Sequence, residues 1–206
     1  MGMVGDAGDE TDGESAGEAG ELAGKLLVAA PSLLDPNFAR SVVLILDFND
    51  EGALGVVLDR PTPLPVAQLL PGWDVVATEP AVIHDGGPVG RTSAICLAQG
   101  PRSMPGFAPL PGVDPGTGAA LGTLDLTVEA EDIAGQLDGM RVFNGYAGWT
   151  AGQLEAEIAE GAWYVVDSWP GDAFSPRSSR LWRLVLQRQQ WPLALISTLP
   201  EDPRRN

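Results

Sequence analysis

Residues 42–58 read VVLILDFNDEGALGVVL, and this stretch decides the fold. Val42–Phe48 is apolar on both faces of an extended chain, as is typical of a strand in the middle of a sheet. The next four residues, 49–52, are Asn-Asp-Glu-Gly and have the composition of a tight turn. Ala53–Leu58 then returns to apolar sequence. Residues 42–58 therefore predict a central β-hairpin.

Further strands are predicted on both sides of this hairpin. The apolar run Lys25–Ala30, which Pro31 ends, lies before it. The later candidates are Ala81–Ile83, Ser93–Ala98, Leu121–Val128, Arg141–Tyr146 and Trp163–Val166. Helical segments are predicted between and after them, at Val66–Leu70, Glu129–Asp138, Thr150–Gly161 and Leu181–Gln189. Because strands and helices interleave without strict alternation, the sequence favours a mixed α/β (α+β) fold over a doubly wound parallel sheet.

Two sequence patterns characterise the predicted helices. Thr150 and Gln153 have the spacing of a capping box, with Thr150 at the cap, and Gly161 is placed to end that helix. In the last helix, Arg180, Arg183 and Gln187 share the face opposite the apolar residues. We interpret that arginine face either as a solvated flank or as a contact for an acidic partner or phosphate.

The composition divides the chain into a tail and one domain. Residues 1–21 contain seven acids, no base and six glycines, which predicts a disordered acidic tail. The folded domain is expected to span residues 22–206. Within it, residues 99–118 hold five Gly and five Pro among twenty residues. This composition predicts a long irregular loop, and such loops in compact domains are usually functional or mobile.

The charge excludes several classes of function. The 206 residues carry 28 acidic and 12 basic side chains and one His, for a net charge of -16. Since proteins bind nucleic acids and anionic membranes mainly through Lys and Arg, direct nucleic-acid or membrane binding is disfavoured. The start of the chain lacks the pattern of a secretory signal, so a cytoplasmic location is expected. One cysteine excludes an intrachain disulfide and the usual thiolate zinc site, and we expect no metal and no cofactor.

Candidate chemical groups are few. The chain has no G-x-S-x-G motif and no P-loop, since Leu26 follows the Gly24-Lys25 pair. Cys96 lies in an apolar strand candidate, where a free cysteine is usually an inert core residue. His84 precedes Asp85 and the turn-like Gly86-Gly87-Pro88. It is therefore either a proton carrier or anion contact at the rim of a pocket, or a polar residue that ends a strand.

Residues 145–149, Gly-Tyr-Ala-Gly-Trp, are predicted to join a strand to the capped helix. Free N–H groups at that helix start could receive an anion, while small residues around two aromatic rings equally suit close packing on the core. On the helix itself, Glu155, Glu157 and Glu160 are interpreted as a solvated face.

Five blocks in a fixed order, spread over about residues 24–200, carry a further pattern. They are Lys25–Pro31 (KLLVAAP), Leu34–Val43 (LDPNFARSVV), Glu51–Pro61 (EGALGVVLDRP), Gly86–Val89 (GGPV) and Gly145–Glu155 (GYAGWTAGQLE). Together these blocks resemble the AlgH/YqgE family of uncharacterised bacterial proteins. The acidic tail and loop 99–118 depart from the family's usual pattern.

The resemblance implies one compact α/β domain in which a bifurcated sheet folds into a pseudo-barrel flanked by helices. The family's name carries a link to transcriptional regulation of alginate synthesis in one bacterial group, and the resemblance brings no catalytic residues with it. The positions that its motifs single out as ligand or partner candidates are Asp35, Asn37, Phe38, Arg40, Arg60, Gly86, Gly87, Tyr146 and Trp149.

Three functional hypotheses follow. The leading one is a cytoplasmic, non-enzymatic binding or regulatory protein that acts on a protein partner or a small ligand. The alternative is an enzyme or ligand binder whose pocket is built from Arg60, His84, Gly86-Gly87 and Thr150. Direct DNA regulation is a third hypothesis, because residues 177–206 carry six arginines and a net charge of +4.

Overall fold

The computed structural model describes residues 22–111, 119–169 and 171–200. Ten strands form within these ranges: β1 (Lys25–Ala29), β2 (Val42–Asn49), β3 (Gly52–Val57), β4 (Pro61–Pro65), β5 (Val82–Asp85), β6 (Val89–Pro101), β7 (Phe107–Pro109), β8 (Ala119–Leu124), β9 (Gly139–Thr150) and β10 (Trp163–Asp167). The short helices are α1 (Val66–Leu69), α2 (Ala130–Ile133), α3 (Gln153–Ala159), α4 (Leu181–Gln187) and α5 (Leu193–Ile196), with 3₁₀ turns at Ala134–Gln136 and Ser178–Arg180.

The strands form one sheet that divides at β9. Its main path runs β10-β1-β2-β3-β9-β6-β8-β7, and β4 and β5 branch off β9. The β5–β9 pair is parallel, whereas the other pairs are antiparallel. The first half of β9 pairs with β5 and β6, and its last four residues pair with β3. The predicted mixed α/β fold, with a bifurcated sheet curled into a pseudo-barrel, is confirmed.

The predicted hairpin lies in the middle of this sheet. Strand β2 pairs with β1 on one side and with β3 on the other, and Val43 stands opposite Val57. The first five residues of β2 are buried on both faces, as their continuous apolar sequence predicts. Helix α4 covers one face, where the indole N–H of Trp182 donates to the carbonyl of Ala29 at 2.8 Å. Helix α4 is thereby fixed against β1.

Several strand predictions need correction. His84 and Asp85 belong to β5 and not to a turn, and β9 continues through residues 145–150, which were predicted to be a connection. The predicted irregular loop 99–118 begins as the end of β6 and contains β7, while residues 112–118 lie outside the described residues. In each case pairing with a neighbouring strand extends the element, and such pairing is not visible in local composition.

The helix predictions were also too simple. Residues 129–138 form the four-residue helix α2 followed by a 3₁₀ turn, not one continuous helix. Gly152, in a left-handed conformation, is the N-cap of α3 in place of Thr150, although Gln153 does accept hydrogen bonds from the Thr150 backbone N–H and hydroxyl at 3.1 Å. Gly161 does end that helix, at φ 78°. The predicted tail, residues 1–21, lies outside the described residues.

Candidate functional site

The loop that precedes β2 is held by Arg60. The guanidinium donates from Nη1 to the carbonyl of Pro36 at 2.9 Å and from Nη2 to that of Ala39 at 3.3 Å. Asp35 stabilises the same loop, because its Oδ1 accepts from the backbone N–H of Asn37 at 2.8 Å. Charge-assisted bonds of this kind are stronger than neutral ones. These three candidates therefore shape the loop that presents Arg40.

Phe38 and Trp149 belong to an aromatic cluster. The Phe38 ring lies 6.2 Å from Trp149 and 5.6 Å from Trp163, measured between centroids. One carboxylate serves both indoles, since Glu157 Oε2 accepts from Trp149 Nε1 at 3.0 Å and from Trp163 Nε1 at 2.8 Å. The interpretation of Glu157 as a solvated residue is therefore wrong, while Glu155 and Glu160 are exposed as expected. This cluster is packing, with no opening for a ligand among its contacts.

Gly86 and Gly87 lie against the backbone of β9. A Cβ at Gly86 would meet the carbonyl oxygen of Gly145 at 2.3 Å, and one at Gly87 would meet the carbonyl carbon of Tyr146 at 2.3 Å. The Tyr146 ring in turn covers Gly90. These glycines are required for the close crossing of two chain segments. The hypothesis that they open the backbone to a ligand is not supported by these contacts.

His84 is fully buried, which excludes the first of its two interpretations, a place at the rim of a pocket. Its Nδ1–H donates to the carbonyl of Val82 at 3.2 Å, and in that tautomer the Ser178 hydroxyl donates to Nε2 at 3.4 Å. Burial, and secondarily the positive charge of Arg141, lower the pKa of His84 to about 4. Arg60 bonds a different segment, so the structure does not bring Arg60 and His84 onto a common partner.

Cys96, the other side chain considered for chemistry, is also buried. Cys96 is 2% exposed, and burial raises the pKa of its thiol to about 12. A thiol with that pKa is not a nucleophile at neutral pH. Within the described ranges, no group of three or more His, Cys, Asp or Glu side chains is placed to hold a metal ion. Nor is any helix there long and apolar enough to cross a membrane.

A surface cleft of about 750 Å³ lies along the exposed side of α4. We call it the arginine cleft. Four of its described lining residues carry a guanidinium group, and the lining among the described residues is Arg40, Arg177, Ser179, Arg180, Trp182, Arg183, Leu184 and Gln187. Arginine, serine and glutamine side chains all present hydrogen-bond donors, and the arginines add positive charge. The cleft is therefore suited to an anion.

Arg40 connects the motif-bearing loop to the arginine cleft. Its backbone has φ 55°, the left-handed region that non-glycine residues rarely adopt. The guanidinium carbon lies 4.7 Å above the Trp182 ring, a cation–π distance, and the guanidinium donates to the carbonyls of Leu199 and Pro200. An unfavourable backbone conformation held by surrounding contacts is a recurrent feature of functional sites.

Arg177, Arg180 and Arg183 follow one another at intervals of three residues through the 3₁₀ turn and α4. Arg183 donates to the carbonyls of Ser197 at 3.0 Å and Leu199 at 3.2 Å, which attaches the chain after α5 to the cleft wall. The side chains of Arg177 and Arg180 are exposed and make no hydrogen bond or ion pair with other described residues. These two guanidinium groups can thus bind an incoming group.

Part of this site is predictable from the sequence. Arg180, Arg183 and Gln187 are predicted to share one helix face, and all three line the arginine cleft. Arg40 is among the motif positions, but its approach to α4 is not predictable, because residues 142 positions apart in sequence meet only through the sheet. Arg177 was missed, although its spacing of three from Arg180 was a usable signal. The other nine candidates are not part of this lining.

The sheet and its cleft define a class: a mixed α/β protein whose curled, bifurcated sheet carries an arginine-lined cleft beside its penultimate helix. Comparison with known proteins gives the family. A family model described as AlgH-like matches residues 26–194. A UPF0301 protein of Streptomyces avermitilis is 50% identical over 192 residues, covering 92% of this chain and 97% of its own. The chain therefore belongs to the AlgH-like family, also called UPF0301.

Solved structures agree with this assignment. The crystal structure of protein DIP2367 from Corynebacterium diphtheriae superposes with a TM-score of 0.78 at 32% identity, covering 86% of this chain and 92% of that one. The solution structure of the AlgH protein from Pseudomonas aeruginosa gives a TM-score of 0.62 at 28% identity, covering 88% and 95%. The family resemblance predicted from five sequence blocks is confirmed.

Proposed function

We propose that this protein is a non-enzymatic binding protein with a regulatory role, and that its arginine cleft receives a small ligand bearing phosphoryl groups. One observation carries the proposal: Arg177 and Arg180 stand exposed and unpaired by described residues in the same cleft as Arg40 and Arg183. This concentration of positive charge occurs on a chain of net charge -16. A local reversal of charge of this kind supports selective binding of an anion.

The chemistry of the lining suits a phosphoryl group. Guanidinium groups present fixed pairs of N–H donors that match phosphate oxygens, and Ser179 adds a hydroxyl donor. A volume of about 750 Å³ lies within the range of roughly 300–1,000 Å³ typical of small-molecule sites. Among the residues that the structure describes, the lining side chains supply donors but no general base, which supports binding without catalysis.

Pyrophosphate tests the proposal directly. We expect isothermal titration calorimetry at 0.15 M salt to detect its binding to the full chain. Replacing both exposed arginines, Arg177→Ala with Arg180→Ala, removes two charge-assisted contacts of about 1.5–3 kcal/mol each, so affinity should fall by at least about a hundredfold.

Arg91 provides the matched control. It is another exposed arginine, paired with Asp85 at 3.4 Å and absent from the cleft lining. Arg91→Ala should leave pyrophosphate affinity within about twofold, because an exposed charge outside the site acts only through screened, long-range electrostatics. Equal binding by the wild-type and the double variant would contradict the proposed site, as would an equal loss in Arg91→Ala.

The regulatory role is proposed to be indirect and cytoplasmic. The acidic chain repels nucleic acid over most of its surface, which supports control exerted through a bound ligand and not through contact with DNA.

A further inference from the structure

We propose that the acidic segment of residues 6–21 docks into the arginine cleft of its own chain and competes there with the anionic ligand. The docking itself concerns the same surface as the proposed function, and the competition rests on that function. The proposed occupant is thus a defined peptide of this protein, and the proposed consequence is that outside anions bind the cleft less tightly.

Charge complementarity is the first argument. Residues 6–21 carry seven carboxylates, at positions 6, 9, 10, 12, 14, 18 and 21, and no base. The cleft presents the exposed guanidinium groups of Arg177 and Arg180. Carboxylates bind guanidinium in the same two-point geometry as phosphate does, so a site suited to phosphoryl groups also suits this segment.

Reach is the second argument. Leu22, where the described chain begins, lines a second cleft together with Gln189 and Gln190, which follow closely after α4. The segment therefore leaves the domain at the C-terminal end of α4. That helix has seven residues and is about 10 Å long at 1.5 Å per residue. Since an extended chain covers about 3.3 Å per residue, three or four residues suffice to pass along α4.

The path of the segment crosses the cleft. From Leu22 toward the N-terminal end of α4, the exposed side of the helix presents Gln187, then Arg183, then Arg180, with Arg177 beyond. Glu18 and Glu14 lie four and eight residues before Leu22, so an extended chain brings them about 13 and 26 Å along this path. A segment joined to the domain acts at an effective concentration of about millimolar, which favours it over a free anion of equal affinity.

Paramagnetic relaxation measures the docking without any ligand. A nitroxide is attached at Ser15→Cys in the full chain; the native Cys96 is buried and its thiol pKa is raised to about 12, so it does not compete for the label. We expect broadening of the backbone amide signals of Arg177, Arg180 and Gln187, and none at Arg91. A control chain, in which the seven acids are replaced by Asn or Gln, should lose this broadening.

Calorimetry with pyrophosphate measures the competition. At 0.15 M salt, where the Debye length is about 8 Å, the acid-neutralised chain should bind pyrophosphate about threefold to tenfold more tightly than the wild type, since occupancy by the tail lowers apparent affinity by the free fraction. Addition of pyrophosphate to the spin-labelled chain should likewise reduce the broadening.

The outcomes separate the two proposals. Absence of broadening at Arg177 and Arg180 overturns the docking, even where pyrophosphate binds and the proposed function stands. Broadening without any pyrophosphate binding supports the docking and overturns the proposed function. Docking between two molecules is tested with a mixture of two chains, one that carries the nitroxide without isotope labels and one that is isotope-labelled without the nitroxide. Broadening of equal strength in that mixture overturns docking within one chain.

Discussion

At the scale of single residues, a fully buried guanidinium group is held by backbone carbonyls. Arg141 is 1% exposed, and it donates to the carbonyl of Ala173 at 2.8 Å and to that of Ser175 at 3.2 Å. Burial lowers the pKa of this guanidinium to about 10, so it stays charged at neutral pH. Burial, and secondarily the charge of Arg141, therefore keep the His84 imidazole neutral at neutral pH.

We expect His84 to titrate far below an ordinary histidine. It is the sole histidine, so its Hε1 proton gives one resolved NMR signal whose shift can be followed against pH. The midpoint should lie near pH 4, against 6.5 for the unperturbed group. Between these values the unfolded chain binds the proton and the folded chain does not. The contribution of His84 to the free energy of unfolding should therefore be complete above pH 6.5 and be lost as pH decreases toward 4. A midpoint near 6.5 would show that His84 is solvated.

At the scale of elements, the residues that follow β5 lie so close to the backbone of β9 that glycine is required. Gly86→Ala should place a Cβ about 2.3 Å from the Gly145 carbonyl oxygen, and overpacking of this kind costs about 1–3 kcal/mol or more. Gly135→Ala is the matched control, because a Cβ there meets nothing within 4 Å. Urea unfolding should show a clear loss for Gly86→Ala and a change of at most about 1 kcal/mol for Gly135→Ala. Equal effects would remove the steric explanation.

The sequence predicted the elements better than their pairing. Periodicity and turn composition located β2 and β3, because a buried strand has to be apolar on both faces and a tight turn requires Asn, Asp or Gly. The same reasoning ended β9 near Tyr146, since nothing local shows that residues 147–150 pair with β3. Only part of the arginine cleft could be predicted from the sequence, for the same reason. Spacing on α4 is local, whereas the approach of Arg40 to Trp182 depends on the whole sheet.

At the scale of the whole molecule, charge decides which partners are accessible. Residues 22–176 carry 19 acids and 6 bases, and the positive charge is concentrated in the last 30 residues. A small anion or an acidic peptide can enter the arginine cleft without lying along the acidic surface. A duplex cannot, because its phosphates extend well beyond one cleft.

We therefore expect no binding to duplex DNA under conditions that favour it. A fluorescently labelled duplex at about 50 mM salt should give no anisotropy change with the full chain at concentrations up to about 100 μM, which is near the weak end of non-specific binding. The acid-neutralised chain is the informative comparison, since it keeps every arginine and loses seven negative charges. Binding by the wild-type chain with a steep salt dependence would favour direct DNA regulation.

The carboxylate of Glu157 also determines how this part of the molecule opens. It lies on α3 and accepts from the indoles of Trp149 on β9 and Trp163 on β10. If α3 detached alone, two buried N–H donors would lose their acceptor, at a cost of about 1–3 kcal/mol each. The helix and the two strands are thus coupled into one cooperative unit. Amide hydrogen exchange in α3 should then require the opening of α3, β9 and β10 together. It should therefore be slower than the exchange of a two-turn surface helix that frays independently.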